Sequence, residues 1–153
     1  ADLSGGAEST IDAVFEDFRN DPEDAPLAAR QAEVDHCFAA DSVEEILANL
    51  AAEGTPWAEE TRATLLEKSP TSLKITFRQL TQYGDLDFEA AMKLEYRMAI
   101  RCNFSHEFYE GIRAQIIDKD RQPKWVPGRL EDVGEDLIES YFQPPASGDM
   151  TFG

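Results

Sequence analysis

Residues 41–54 read DSVEEILANLAAEG, and this stretch sets the reading of the chain around it. Asp41-Ser42 ahead of Glu44 and Glu45 forms a capped helix start whose acids complement the helix dipole. Val43, Ile46, Leu47 and Leu50 then recur at helical spacing, and Gly54 supplies the stop. The same punctuation continues outward. Upstream, Ser9 or Thr10 caps a predicted helix carrying Ile11, Val14, Phe15 and Phe18, and NDPEDAP from Asn20 to Pro26 ends it. A second helix is predicted from about Leu27 to Ala39. Downstream, Thr55-Pro56 opens a helix with Trp57, Leu65 and Leu66, and Ser69-Pro70 repeats the cap-then-proline order. Leu73, Ile75, Phe77 and Leu80 exceed one stripe, so this helix, closed by Gly84, is expected to be buried on more than one side.

From Asp87 to about Asn103, Phe88, Ala91, Met92, Leu94, Tyr96, Met98, Ala99 and Cys102 describe a long helix. Ser105 caps the next, through Phe108, Ile112, Ile116 and Ile117. Residues 118–129, DKDRQPKWVPGR, are polar with Pro123, Pro127 and Gly128, and read as an extended loop. A short helix from about Gly134 to Phe142 precedes a tail, QPPASGDMTFG, predicted to be disordered. No segment joins β-branched residues with strict alternation over a strand length. The expectation is an all-α protein of about seven to eight helices, one helical domain over 1–142 with the tail at 143–153.

A 153-residue chain that is 42% hydrophobic and 10% aromatic can build a core. No apolar run reaches the roughly 18 uncharged residues of a membrane span, and ADLSGGAEST has neither the basic flank nor the apolar stretch of a secretion signal. Cys37 and Cys102 each sit inside an apolar pattern, which favours buried thiols over a bridge and the cell interior as compartment. The net charge of −17 is unevenly spread. Residues 1–67 carry 17 acids and 3 bases (−14), 68–129 carry 8 and 11 (+3), and 130–153 carry 6 and 0 (−6). The acidic surface disfavours nucleic acid and anionic membranes, while the basic middle can meet a phosphorylated ligand.

Catalytic patterns are missing from the sequence. His36 and His106 lie seventy residues apart with no metal-like spacing around them, so no metal site is expected. His36 and Cys37 are helix neighbours pointing about 100° apart, which argues against a thiolate pair. Nucleophile-elbow, phosphate-loop and dinucleotide glycine motifs do not occur. Acid pairs such as Glu44 with Glu45, and Glu107 with Glu110, read as solvated helix faces.

Two segments invite a functional reading, anion and ring recognition, beside a structural one. In SPTSLKITFRQL, residues 69–80, Lys74 and Arg78 lie four apart on one side. HEFYEGIRAQIIDKDRQPKW, residues 106–125, ends in Lys119, Arg121, Lys124 and Trp125, although a basic loop after a helix C-terminus also complements the dipole.

Both segments resemble the C-terminal region of 3-hydroxyisobutyryl-CoA hydrolases, in the enoyl-CoA hydratase/isomerase (crotonase) superfamily. The likeness rests on Ser69-Pro70-Thr71-Ser72-Leu73-Lys74; on Leu94, Glu95, Tyr96 and Arg97 for a Met-Glu-Tyr-Arg-like stretch; and on Phe108, Glu110, Gly111, Arg113 and Ala114. It continues through Asp118, Lys119, Asp120, Pro123, Lys124 and Trp125, and more weakly through CFAADSVEEILANL, so that it covers roughly residues 11–142.

The resemblance implies a longer protein whose N-terminal core of β-β-α units carries the oxyanion amides and catalytic carboxylates, a core this chain is expected to lack. No catalytic residue carries over to this chain. It further implies helices that cover an acyl-CoA pocket and pack subunits, with a homo-oligomer possible, and coenzyme A entering as part of the substrate rather than as a cofactor. Lys119 becomes the first candidate for a CoA phosphate contact, Lys124 the second, and Trp125 a ring face. The expected compartment is the cytoplasm of a bacterium, or the mitochondrial matrix of a eukaryote. Two alternatives remain: the same region of an enoyl-CoA hydratase or isomerase, and a stand-alone helical interaction module with the acidic N-terminal third as its partner surface.

Overall fold

The structure, a computed structural model, describes residues 13–16, 18–19 and 27–152. The chain falls into two compact units, Ala1–Asp35 and His36–Gly153. In the first, residues 13–16 are helical and a 3-10 turn spans Ala28–Arg30. The rest of the helix expected from Ile11 to Phe18 lies outside the described residues.

The helices run α1 (Gln31–Phe38), α2 (Val43–Glu53), α3 (Pro56–Leu66), α4 (Pro70–Gln82), α5 (Phe88–Asn103), α6 (His106–Ile112) and α7 (Glu135–Ser140). A π-helical turn, Arg113–Ile117, continues α6, and a 3-10 turn, Leu130–Asp132, precedes α7. Among the described residues there is no strand. Ser42, Thr55, Ser69 and Ser105 cap where the sequence puts them, and Asp87 caps α5; each accepts a backbone N–H of the following turn. Gly54 closes α2 at φ 64°, a left-handed conformation that a Cβ would strain.

Two apolar clusters hold the larger unit together. One joins Cys37, Ile46, Leu50 and Ala58, with Trp57, Leu65 and Phe77 against it. The other joins Ile75, Leu94, Met98, Val133, Ile138, Tyr141 and Phe142. Helix α4 contributes to both, because Ile75 and Phe77, two positions apart, point to nearly opposite sides of a helix. The expectation of burial on more than one side is thereby met.

The two basic residues of α4 are consumed by this packing. Lys74 Nζ lies 2.7 Å from Glu44, and Arg78 reaches Glu135 and Glu139 of α7 while stacking over the Phe142 ring. Both thus tie α4 to its neighbouring helices. Beyond Phe142 the described residues form no helix, yet Arg97 grips them: Nε donates to Asp149 at 2.8 Å and Nη1 to the Phe142 carbonyl at 2.9 Å. No disulfide joins Cys37, which is buried, and Cys102, which is half-buried.

Candidate functional site

The basic loop that follows α6 is built from that helix outward. Ser105 caps α6, and Glu107 and Glu110, three residues apart, occupy neighbouring positions on one helix face. Both are buried, against the expectation that such acids are solvated. Glu107 accepts the Val126 N–H at 2.9 Å and the Ser69 hydroxyl, while Glu110 accepts the Lys124 N–H at 2.7 Å. Amides two residues apart in an extended chain point the same way, so two carboxylates one turn apart can staple one edge of the loop. The sequence signal was a Glu-x-x-Glu pair on the helix that precedes an extended segment whose amides need partners.

Arg113, the first residue of the π turn, organises the other side. Its Nε and Nη2 hold Glu110 at 2.9 and 2.8 Å as a fork. Nη1 donates to Asp118 and to Asp120, each at 2.7 Å, and Nη2 to the Gln122 carbonyl at 3.1 Å. The guanidinium hydrogen bonds hold the Glu110 carboxyl down at about 2, and the same partner lowers Asp120. Glu107 shifts the opposite way, because burial pushes its carboxyl up despite the Val126 N–H.

Trp125 closes the arrangement. Its indole N–H donates to the Glu67 carbonyl at 3.1 Å, and its ring edge would lie 3.5 Å from a Cβ placed at Gly111. The indole thus lies on α6 over Gly111, at a distance where a Cβ would make ordinary contact with the ring. The ring also borders an apolar groove of about 590 Å³ whose walls include Val43, Leu65, Leu73, Phe77 and Leu80. Behind it, a cavity of about 130 Å³ brings Ser69, Cys102, Glu107 and Tyr141 together. The Cys102 thiol and the Tyr141 phenol are both raised by burial.

Lys119 and Lys124 are exposed and, among the described residues, form no ion pair; Arg121 behaves likewise. Trp125 is half-buried. The three residues singled out from the sequence thus lie on one loop, with Trp125 engaged in packing and the two lysines open to water. Among the described residues no group of His, Cys, Asp and Glu could hold a metal ion, and no helix is long and apolar enough to cross a membrane.

Comparison with known proteins gives this arrangement a setting. The model of the family described as enoyl-CoA hydratase/isomerase matches residues 2–142. The mitochondrial 3-hydroxyisobutyryl-CoA hydrolase of Mus musculus is 42% identical over 119 residues, 78% of this chain and 31% of that protein. The Homo sapiens protein of the same description is 39% identical over 126 residues, 82% of this chain and 33% of its own length. Among solved structures, a carnitinyl-CoA dehydratase from Mycobacterium thermoresistibile is 33% identical with a TM-score of 0.78, over 84% of this chain and 37% of that one. An enoyl-CoA hydratase from Rhodobacter sphaeroides 2.4.1 is 34% identical with a TM-score of 0.77, over 97% and 45%. The chain spans about a third of the length of the curated relatives it matches. It belongs to the enoyl-CoA hydratase/isomerase family of the crotonase superfamily, and is 3-hydroxyisobutyryl-CoA hydrolase-like within it.

Proposed function

We propose that the chain serves as the helical portion of a CoA-thioester hydrolase acting on 3-hydroxyisobutyryl-CoA in valine breakdown. It would cover the acyl-CoA pocket and pack subunits against an N-terminal crotonase core. The observation that carries this reading is the sorting of charge on the loop after α6. Arg113 gathers three carboxylates to itself and leaves Lys119 and Lys124 unpaired in water. Unpaired lysines on an ordered loop suit a phosphorylated ligand, and the likeness to hydrolases at about 40% identity supplies its chemical class. Lys119 is assigned the first phosphate contact, Lys124 the second, and the half-buried Trp125 a ring face beside the nucleotide.

On this reading, the oxyanion amides and hydrolytic carboxylates lie in the part of the relatives that the chain does not match. The compartment would be the cytoplasm of a bacterium, or the mitochondrial matrix, as in the names of the eukaryotic relatives. In the longer protein, Lys119→Ala should raise the Michaelis constant for the acyl-CoA about tenfold or more with turnover kept, as loss of one charged hydrogen bond implies. An unchanged constant sinks the phosphate assignment.

The second reading, a hydratase or isomerase, is favoured by the two solved structures, named as a dehydratase and a hydratase. Faster release of free CoA from 3-hydroxyisobutyryl-CoA than hydration of crotonyl-CoA supports the hydrolase. The reverse order supports the alternative.

A further inference from the structure

The loop that bears the free cations adopts a backbone that ordinary residues avoid. Lys119 and Arg121 sit at φ 57° and 55°, the positive-φ residues other than glycine among those described. Such conformations persist only where surrounding contacts hold them. Here the holder is Arg113. The two carboxylates that its Nη1 takes, Asp118 and Asp120, belong to the residues directly preceding the two left-handed ones. The peptide is fixed from both directions: Asp118 N–H donates to the Arg113 carbonyl at 2.8 Å, Arg121 N–H to the Ala114 carbonyl at 3.0 Å, and Gln122 N–H to Asp120 at 2.9 Å. The π turn that places Arg113 opposite its own downstream carboxylates is an uncommon form that tends to occur at functional sites.

We propose that Arg113 is a positioning residue: its grip on Glu110, Asp118 and Asp120 sets the strained backbone of Lys119 and Arg121, which together bind a ligand phosphate that Arg113 never touches. This rests on the phosphate-binding reading above and adds Arg121 to the contact set. The grip performs two tasks at once. It offsets one of the three acidic charges that would otherwise repel the anion, and it fixes the loop in one conformation, so binding does not bear the cost of ordering it. A lysine at 113 would keep the charge but not the planar fork that engages three carboxylates together.

The test titrates CoA and dephospho-CoA, which lacks the 3′-phosphate, against the longer protein that contains this chain by calorimetry, with hydrogen exchange followed at the Arg121 amide. Lys119→Gln and Arg121→Gln are each expected to weaken CoA binding about tenfold, as loss of a charged hydrogen bond implies, and Arg113→Lys about tenfold or more, because it loosens the loop that presents both. Dephospho-CoA binding should hardly change. Arg113→Lys should also speed exchange at Arg121, whereas Lys119→Gln should not. Retained CoA affinity in Arg113→Lys, or equal weakening of both ligands, overturns the positioning role. Lys119→Gln binding CoA like the wild type overturns the phosphate reading itself, and a wild-type longer protein that binds no CoA overturns both.

Discussion

Ser69→Ala strikes the joint where helix α4, helix α6 and the basic loop meet. The hydroxyl oxygen accepts the Ser72 N–H at 3.1 Å, capping α4, and the hydroxyl donates to the buried Glu107 carboxylate. Loss of the cap costs about 1 kcal/mol. Leaving a buried carboxylate short of one donor costs about 1–3 kcal/mol more, with Val126 N–H still in place. The expected loss is therefore about 2–4 kcal/mol, or about 4–16 °C in Tm for a chain of this length. Urea unfolding with an unchanged m-value measures it. Placed on a Glu107→Gln background, where no charge is stranded, the same substitution should cost only the capping share, about 1 kcal/mol. A loss below about 0.5 kcal/mol, or an equal loss on both backgrounds, refutes the coupling of Ser69 to Glu107.

Other expectations are sharp enough to fail. Glu110 titrates at about 2 in the folded chain against an ordinary 4.5, so the stability it contributes is present above 4.5 and lost as pH falls toward 2. Glu110→Gln should flatten that acid limb in a pH series of unfolding midpoints, and an unchanged limb counts against the Arg113 grip. Glu107 has the opposite sign: its raised value favours the folded state at low pH and loses that favour as pH rises above 4.5. Relative to wild type, Glu107→Gln should therefore gain with rising pH in the same series, and a constant difference would remove the burial argument. Thr71 Oγ1 is buried with no partner among the described residues, so Thr71→Val should stabilise the chain by about 1 kcal/mol. Destabilisation in a thermal melt would mean that the hydroxyl is satisfied after all.

What could be read in advance was what is local. Both ends of α2 follow from Ser42 and Gly54, because a cap and a left-handed stop act within one turn. The same holds for Thr55, Ser69 and Ser105. Features set by distant partners could not be read. Lys74 and Arg78 looked available until α2 and α7 supplied Glu44, Glu135 and Glu139. Glu107 and Glu110 looked solvated because their partners are backbone amides, which sequence spacing does not display. The loop was legible as a loop from its prolines and charges. Its left-handed residues were not, since Lys and Arg carry no turn signal and the conformation depends on Arg113. Of the three residues assigned to coenzyme A, the two lysines are exposed. Trp125 divides its indole between the Glu67 carbonyl and the groove.

The central claim is that this helical chain serves a thioester hydrolase whose chemistry is carried elsewhere in the protein. The direct measurement is release of free CoA from 3-hydroxyisobutyryl-CoA, by the 153-residue chain alone and by the product of the longest open reading frame containing it. The account predicts no acceleration over buffer from the chain, and sustained hydrolysis from a product long enough to include the region that the relatives carry beyond the match. Turnover by the chain alone, or a longer product that leaves the thioester intact, would contradict it.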